Sequence, residues 1–173
     1  MTEAAESASR TRRGAPASSP REGKARLDFQ EHLADLEKAG LLVRIDRPID
    51  KDTELHPLVR WQFLGGIPED ERRAFLFTNV PDAKGRRYDM PVVVGALAAS
   101  PRIYSLGMGR PVAEIGAAWL EAIAKPIAPA VVNAAQCQEV VITGDDLTRA
   151  DGGLTRLPVP VSTPGFDSAP YLT

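Results

Sequence analysis

The last eighteen residues, Arg156-Leu-Pro-Val-Pro-Val-Ser-Thr-Pro-Gly-Phe-Asp-Ser-Ala-Pro-Tyr-Leu-Thr173, constrain the fold more than any other stretch. Four prolines and a glycine are threaded among apolar and hydroxyl residues there. Proline fixes φ and removes a backbone donor, so the segment reads as a stiff extended connector or an edge strand. Val159, Val161, Phe166, Tyr171 and Leu172 carry more apolar surface than a disordered tail leaves in water. The expectation is a chain that stops while still entering a structure.

What precedes it reads as an α/β domain. Met1 to about Arg26 is Ala-, Ser-, Arg- and Glu-rich without periodicity, a disordered extension that has no apolar core of a secretory signal. Asp28 with Glu31 forms a capping-box-like start, and Phe29, Leu33 and Leu36 make one helical stripe that Gly40 closes. A strand over 41–45 and a helix over 53–64 follow, the helix presenting Leu55, Leu58, Val59 and Phe63 on one face, with Pro57 in its first turn and Gly65-Gly66 after it.

Ala74–Thr78 and Pro91–Gly95 are strands that can pair as a hairpin, with 82–87 as a polar turn. Ser100-Pro101 caps a short helix through Leu106, broken by Gly107 and Gly109. Pro111 opens a helix with the apolar stripe Val112, Ile115, Trp119, Leu120 and Ile123, which Lys125 and Pro126 end. Residues 126–135 are a Pro/Ala-rich connector and mark a domain boundary. A strand over 138–143, a turn at Gly144-Asp145-Asp146 and a loop over 148–155 complete the pattern. The division is thus 1–26, 27–125 and 126–173.

Chemistry is sparse. A net charge of −2 gives no electrostatic footprint for nucleic acid, no apolar run reaches the ~18 residues of a membrane helix, and a single cysteine forms no internal disulfide. A cytoplasmic protein is the expectation. His32, on a charged flank beside Glu31 and Asp35, reads as solvated, and His56 sits at a helix start; neither belongs to a ligand set with metal spacing. Cys137 has no local base and reads as a structural thiol. Gly107-Met-Gly109-Arg110 lacks the third glycine of a dinucleotide loop, and Pro111 deletes a donor from the helix start. Asp145, Asp146 and Asp151 do not keep the spacing of a calcium loop and read as solvated turns, and Ser162 and Thr163 have no identifiable base.

The order of motifs is nonetheless distinctive. Asp28-Phe-Gln-Glu-His-Leu with Leu36-Glu-Lys-Ala-Gly40 and Leu42-Val-Arg-Ile-Asp-Arg-Pro48 resembles the opening of the UbiD family of decarboxylases. Val92-Val-Val-Gly95, Ser100-Pro-Arg-Ile103 and Leu106-Gly107 resemble its next block. Cys137-Gln-Glu-Val-Val, Gly144-Asp-Asp146, Leu154-Thr-Arg-Leu-Pro-Val-Pro160, Thr163-Pro-Gly165 and Pro170-Tyr-Leu-Thr173 are similar to its N-terminal signature.

The resemblance implies an α/β N-terminal domain over 27–125 and, from about Val131, the first strands of a split β-barrel of flavin-reductase type. It implies reversible decarboxylation of aromatic or α,β-unsaturated acids with prenylated FMN, assisted by manganese and potassium ions. The family's metal-binding asparagine, histidine and glutamate and its catalytic Glu-Arg-Glu set follow the Pro-Tyr-Leu-Thr stretch and lie outside this sequence. No catalytic or metal-binding residue is therefore assigned, Glu139, Asp145 and Asp146 receive no catalytic role, and Thr173 alone is assigned to the cofactor pocket. The expected partners are the remaining decarboxylase domains or a companion subunit, in a homo- or hetero-oligomer, with the chain alone inactive and free of cofactor. The alternative is a non-catalytic scaffold derived from a decarboxylase and acting only in a complex.

Overall fold

The computed structural model describes residues 29–134, 138–149 and 152–161. Helix α1 (Phe29–Lys38) leads into strand β1 (Leu42–Ile45), helix α2 (Leu55–Leu64), strand β2 (Ala74–Phe77), the short strands β3 (Val80–Pro81) and β4 (Arg87–Tyr88), strand β5 (Val92–Val94) and helix α3 (Pro101–Met108). Helix α4 (Ile115–Ala124) follows a single 3-10 turn at Val112–Glu114.

The turn from α1 to β1 shows how local chemistry sets the path. Leu41 N–H donates to the Leu36 carbonyl and Gly40 N–H to that of Glu37, with Gly40 at φ 68. That is the paired bonding of a Schellman stop, which needs a residue tolerant of the left-handed region. Leu36 and Leu41, the two positions such a stop brings into contact, are both buried in one core cluster.

β1 and β2 run parallel, Leu42 opposite Ala74 through Ile45 opposite Phe77, so α2 is the crossover that parallel pairing requires. β5 joins the other side of β2 antiparallel, giving the order β1-β2-β5, and the β3–β4 hairpin forms a separate two-stranded ribbon between β2 and β5. The two-residue period of the strands divides the core. Leu42, Ala74 and Val93 pack with Leu33, Leu36, Ala99 and Ile103 from the α1 and α3 side. Ile45, Phe75, Phe77, Val92 and Val94 pack with Leu55 and Val59 of α2 and with Ile49 and Val80. Phe75 and Phe77, two residues apart, stack with centroids 6.0 Å apart.

Several expectations change. The buried face of α2 is Leu55, Val59 and Gln62, while Leu58 and Phe63 are 36% and 40% exposed. α3 continues through Gly107 to Met108 and ends at Gly109. Pro111 precedes a 3-10 turn, and the stripe of α4 meets no core. No strand forms over 138–143 among its described residues: Val140 and Val141 are exposed and no neighbouring strand supplies the ladder an isolated strand lacks. Leu157–Val161 is likewise unpaired, since Pro158 and Pro160 remove two donors from any ladder. The α/β body is present, and the first barrel strands are not formed among the described residues. Asp28, Cys137, Asp151, Ser162, Thr163 and Thr173 lie outside the described residues.

Candidate functional site

Three constructions in the body bring polar chemistry together. The first is a seam between α1 and the Gly95–Ala99 loop. His32 is buried, not solvated as its charged neighbours suggested, because α1 turns that flank against the loop and α3. Its Nε2 lies 2.7 Å from the Ala96 carbonyl oxygen. A carbonyl only accepts, so Nε2 carries the hydrogen, and the ring is held by a bond spanning 64 positions of sequence. Gly107 faces the same ring, where a Cβ would stand 3.5 Å from His32 Cε1.

Beside this seam lies an open groove of about 320 Å³ lined by Phe29, Phe63, Val93 and the Gly95–Ala99 loop. Gly95 makes the loop possible: its φ is 76, and a Cβ there would stand 3.0 Å from the Ala99 Cβ.

The second is the junction of α2 with β2. Gln62 Nε2 donates to the Arg73 carbonyl at 2.9 Å, and Arg73 N–H donates to Gln62 Oε1 at 3.0 Å. The side-chain amide thus imitates a strand neighbour and satisfies the residue entering β2. Arg72 completes this corner with its guanidinium 5.0 Å from the Phe63 ring centre.

The third gathers around Lys51, a buried cation. Ile49 N–H donates to the Asn79 carbonyl and Lys51 N–H to that of Pro81, laying this segment along the hairpin. The Lys51 ammonium pairs with Asp52 and stands 5.9 Å from the Tyr88 ring centre. Asp52 also accepts from Ala83 N–H, and the Tyr88 hydroxyl donates to Asp82 at 3.3 Å. Asp82 accepts further from Lys84 and Arg86 N–H. Partial burial raises the Asp82 carboxyl, but those two backbone donors, the Tyr88 hydroxyl and the Lys51 charge outweigh it and hold its pKa below the ordinary value. Burial first, and then the Asp82 charge and hydrogen bond, raise the Tyr88 phenol against the opposing pull of Lys51 and Arg86.

Of these arrangements, only Tyr88 on Asp82 sets a hydroxyl against a carboxylate, and Asp82 is occupied in closing the hairpin turn. Among the described residues no three His, Cys, Asp or Glu side chains converge to hold a metal ion. The groove has neither a basic side chain for a phosphate nor a charged partner for a polar ring edge, so the groove does not fit a phosphorylated flavin. The other sequence candidates stay apart. His56 is half-buried in the first turn of α2. Gly107 and Gly109 belong to the last turn and cap of α3, and Arg110 N–H and carbonyl oxygen both engage Ser105. Asp145 and Asp146 are exposed in a 3-10 turn, Asp146 paired with Arg149 at 2.8 Å, and Glu139 is exposed. Lys51, Tyr88 and Gln62 escaped sequence reasoning. Only the acidic run Asp50-Lys-Asp52 signalled anything, and it looks like any solvated turn.

The chain's relatives identify the body. The family model for the 3-octaprenyl-4-hydroxybenzoate carboxy-lyase N-terminal domain matches residues 33–123, more than half of the chain. Among solved structures, the chain is similar to an evolved dimeric form of the UbiD-class enzyme HmfF from Pelotomaculum thermopropionicum in complex with prFMN, at 27% identity and a TM-score of 0.60. The structure of the UbiD-class enzyme HmfF from the same organism in complex with FMN gives the same identity and TM-score. The match covers 78% of this chain in both cases, but only 28% and 26% of those chains. No helix among the described residues is long and apolar enough to cross a membrane. With most of α1 and all of β1, α2, β2, β5 and α3 inside the matched span, the chain belongs to the UbiD family and carries its N-terminal domain.

Proposed function

We propose that this chain serves as the N-terminal domain of a cytoplasmic UbiD-type carboxy-lyase, working with the family's remaining domains in the same or a companion polypeptide. The observation that carries this reading is the family match over residues 33–123, supported by the likeness to two flavin-bound UbiD-class structures. The reaction is decarboxylation of an aromatic or α,β-unsaturated acid. Prenylated FMN would supply the electron sink in the complete enzyme, with manganese and potassium ions helping to hold its phosphate. The division at about residue 126, a split barrel built onward from there, and Thr173 at the edge of the cofactor pocket belong to the same proposal.

The contribution of the described residues is architectural. The His32–Ala96 and Gln62–Arg73 bonds fix α1, α2 and the Gly95–Ala99 loop on the sheet, presenting one rigid body to the catalytic domains. The test is reconstitution with the polypeptide from the same genome that carries the family's metal and glutamate residues. The complex, loaded with prenylated FMN and manganese, is expected to hold flavin absorbance through gel filtration and to release CO2 from such acids, and neither component does so alone. A complex that forms but never retains flavin or turns over any such acid overturns the reading in favour of a scaffold.

A further inference from the structure

Helix α4 stands apart from the rest of the fold. Its sequence, Ile-Gly-Ala-Ala-Trp-Leu-Glu-Ala-Ile-Ala, carries one polar side chain in ten, yet none of its residues is buried. A helix apolar all round belongs inside a structure, enclosed on more than one side. Near the middle of α4, Trp119 Nε1 donates to the Tyr104 hydroxyl of α3. Leu120 and Ile123 are each 72% exposed, and the apolar surface runs on through Ile127 and Val131, which are 95% and 96% exposed. Trp119, Leu120 and Ile123 alone expose on the order of 400 Å², about half of the roughly 800 Å² that one partner contributes to a standard interface. A soluble surface does not leave that much contiguous apolar area without an interaction to cover it.

We propose that the α4 face formed by Trp119, Leu120 and Ile123 is the docking surface for the UbiD domain that follows the N-terminal domain in the family. The inference rests on the function proposed above and adds the surface and its chemistry. Two observations select this occupant. The family's N-terminal domain match ends at residue 123, within α4, so the helix lies at the junction with the next domain, and this chain covers only 28% and 26% of the matched HmfF chains. The charges on α4 and its cap, Glu121 and Lys125, neutralise each other at 3.4 Å, which leaves a face without net charge. Its complement is therefore an apolar channel with a polar rim that needs no fixed counter-charge. A channel takes the helix on more than one side, as an all-apolar helix requires, whereas a second copy of α4 would cover one side only.

The test uses the full chain and the separately expressed companion polypeptide described above. The chain has two tryptophans, so Trp61→Phe leaves Trp119 as the reporter. Docking is expected to shift Trp119 emission to the blue and to follow a single binding isotherm. Leu120→Glu with Ile123→Glu is expected to weaken the complex at least about 100-fold, about tenfold for each central apolar residue. The control, Trp61→Glu with Leu64→Glu on the exposed side of α2, is expected to leave affinity within about threefold. All four residues are exposed, so thermal unfolding of the variants verifies that the body is intact. A complex that tolerates the α4 pair but loses affinity with the α2 pair overturns this inference and leaves the proposed function standing. A chain that dimerises by itself through α4, with the dimer abolished by the α4 pair and no competition from the companion, also overturns it. Absence of any complex with the companion defeats the functional reading itself, and this inference with it.

Discussion

Gln62 is the most exacting test of how the body is held together, because one side chain serves both backbone groups of Arg73. Gln62 is only 4% exposed, and its amide meets Arg73 at 2.9 and 3.0 Å. Gln62→Leu removes both bonds and leaves an N–H and a carbonyl at the entry to β2 without partners. Each orphaned group costs about 1–3 kcal/mol when buried. These two are partly buried, which selects the lower end, and the leucine side chain returns part of the loss through apolar burial. The net expectation is about 1–2 kcal/mol. For a body of about 80 residues that lowers the melting temperature by roughly 4–16 °C.

Gln62→Glu isolates the cause. Above its pKa the carboxylate still accepts from Arg73 N–H but sets an anionic oxygen against the Arg73 carbonyl. Protonation restores a donor there, so the native state binds the proton more tightly than the unfolded chain does. A folded pKa raised in this way makes the variant's stability complete at low pH and lost as pH rises through the folded value. Urea unfolding followed by far-ultraviolet circular dichroism from pH 5 to 8 reads both effects. A Gln62→Leu loss below 0.5 kcal/mol, or a Gln62→Glu deficit indifferent to pH, refutes the reasoning.

Other expectations follow from the same geometry. Ile103→Ala empties a fully buried position between α3 and the sheet and should cost about 2–5 kcal/mol in urea unfolding. Gly95→Ala and Gly85→Ala both place a side chain at positive φ, but only at Gly95 does the Cβ meet a neighbour, so its loss should exceed the ~1 kcal/mol expected at Gly85. Asp82, lowered in the fold, contributes stability that is present above its unfolded pKa of 3.8 and lost as pH falls through the lower folded value. Asp82→Asn should therefore flatten the acid side of the stability profile below its unfolded pKa of 3.8. Tyr88, raised in the fold, contributes stability present below pH 10 and lost above it, so Tyr88→Phe should reduce the alkaline decline seen by the same assay.

The elements of the body were legible because their signals are local. Gly40 after the Leu33–Leu36 stripe, Ser100 before Pro101, and the Phe75–Phe77 and Val92–Val94 runs each declare themselves within a few residues. The family order was legible for the same reason. Burial was harder. His32 and Gln62 are polar letters in helical patterns, and only partners 64 and 11 positions away decide that they lie inside. The opposite error arose at α4 and 138–143, where apolar sequence predicted burial or pairing. Periodicity states that a surface seeks cover; it does not say that this chain supplies the cover. For the candidate site, the sequence withheld a role from His56, Asp145 and Asp146, and gave no hint of the cation-centred ribbon around Lys51.

The His32–Gly107 contact has one more consequence. It places the first turn of α1 against the last turn of α3, so the two ends of the body meet on one side of the sheet. A unit whose ends are adjacent can be inserted into a host chain, excised from one, or rejoined through a short linker and reopened elsewhere without unthreading the core. The exposed Lys84-Gly85 tip of the hairpin is the natural place for new ends. For gene rearrangement, this body is a transferable part: recombination at its borders leaves every core contact between α1 and α3 intact.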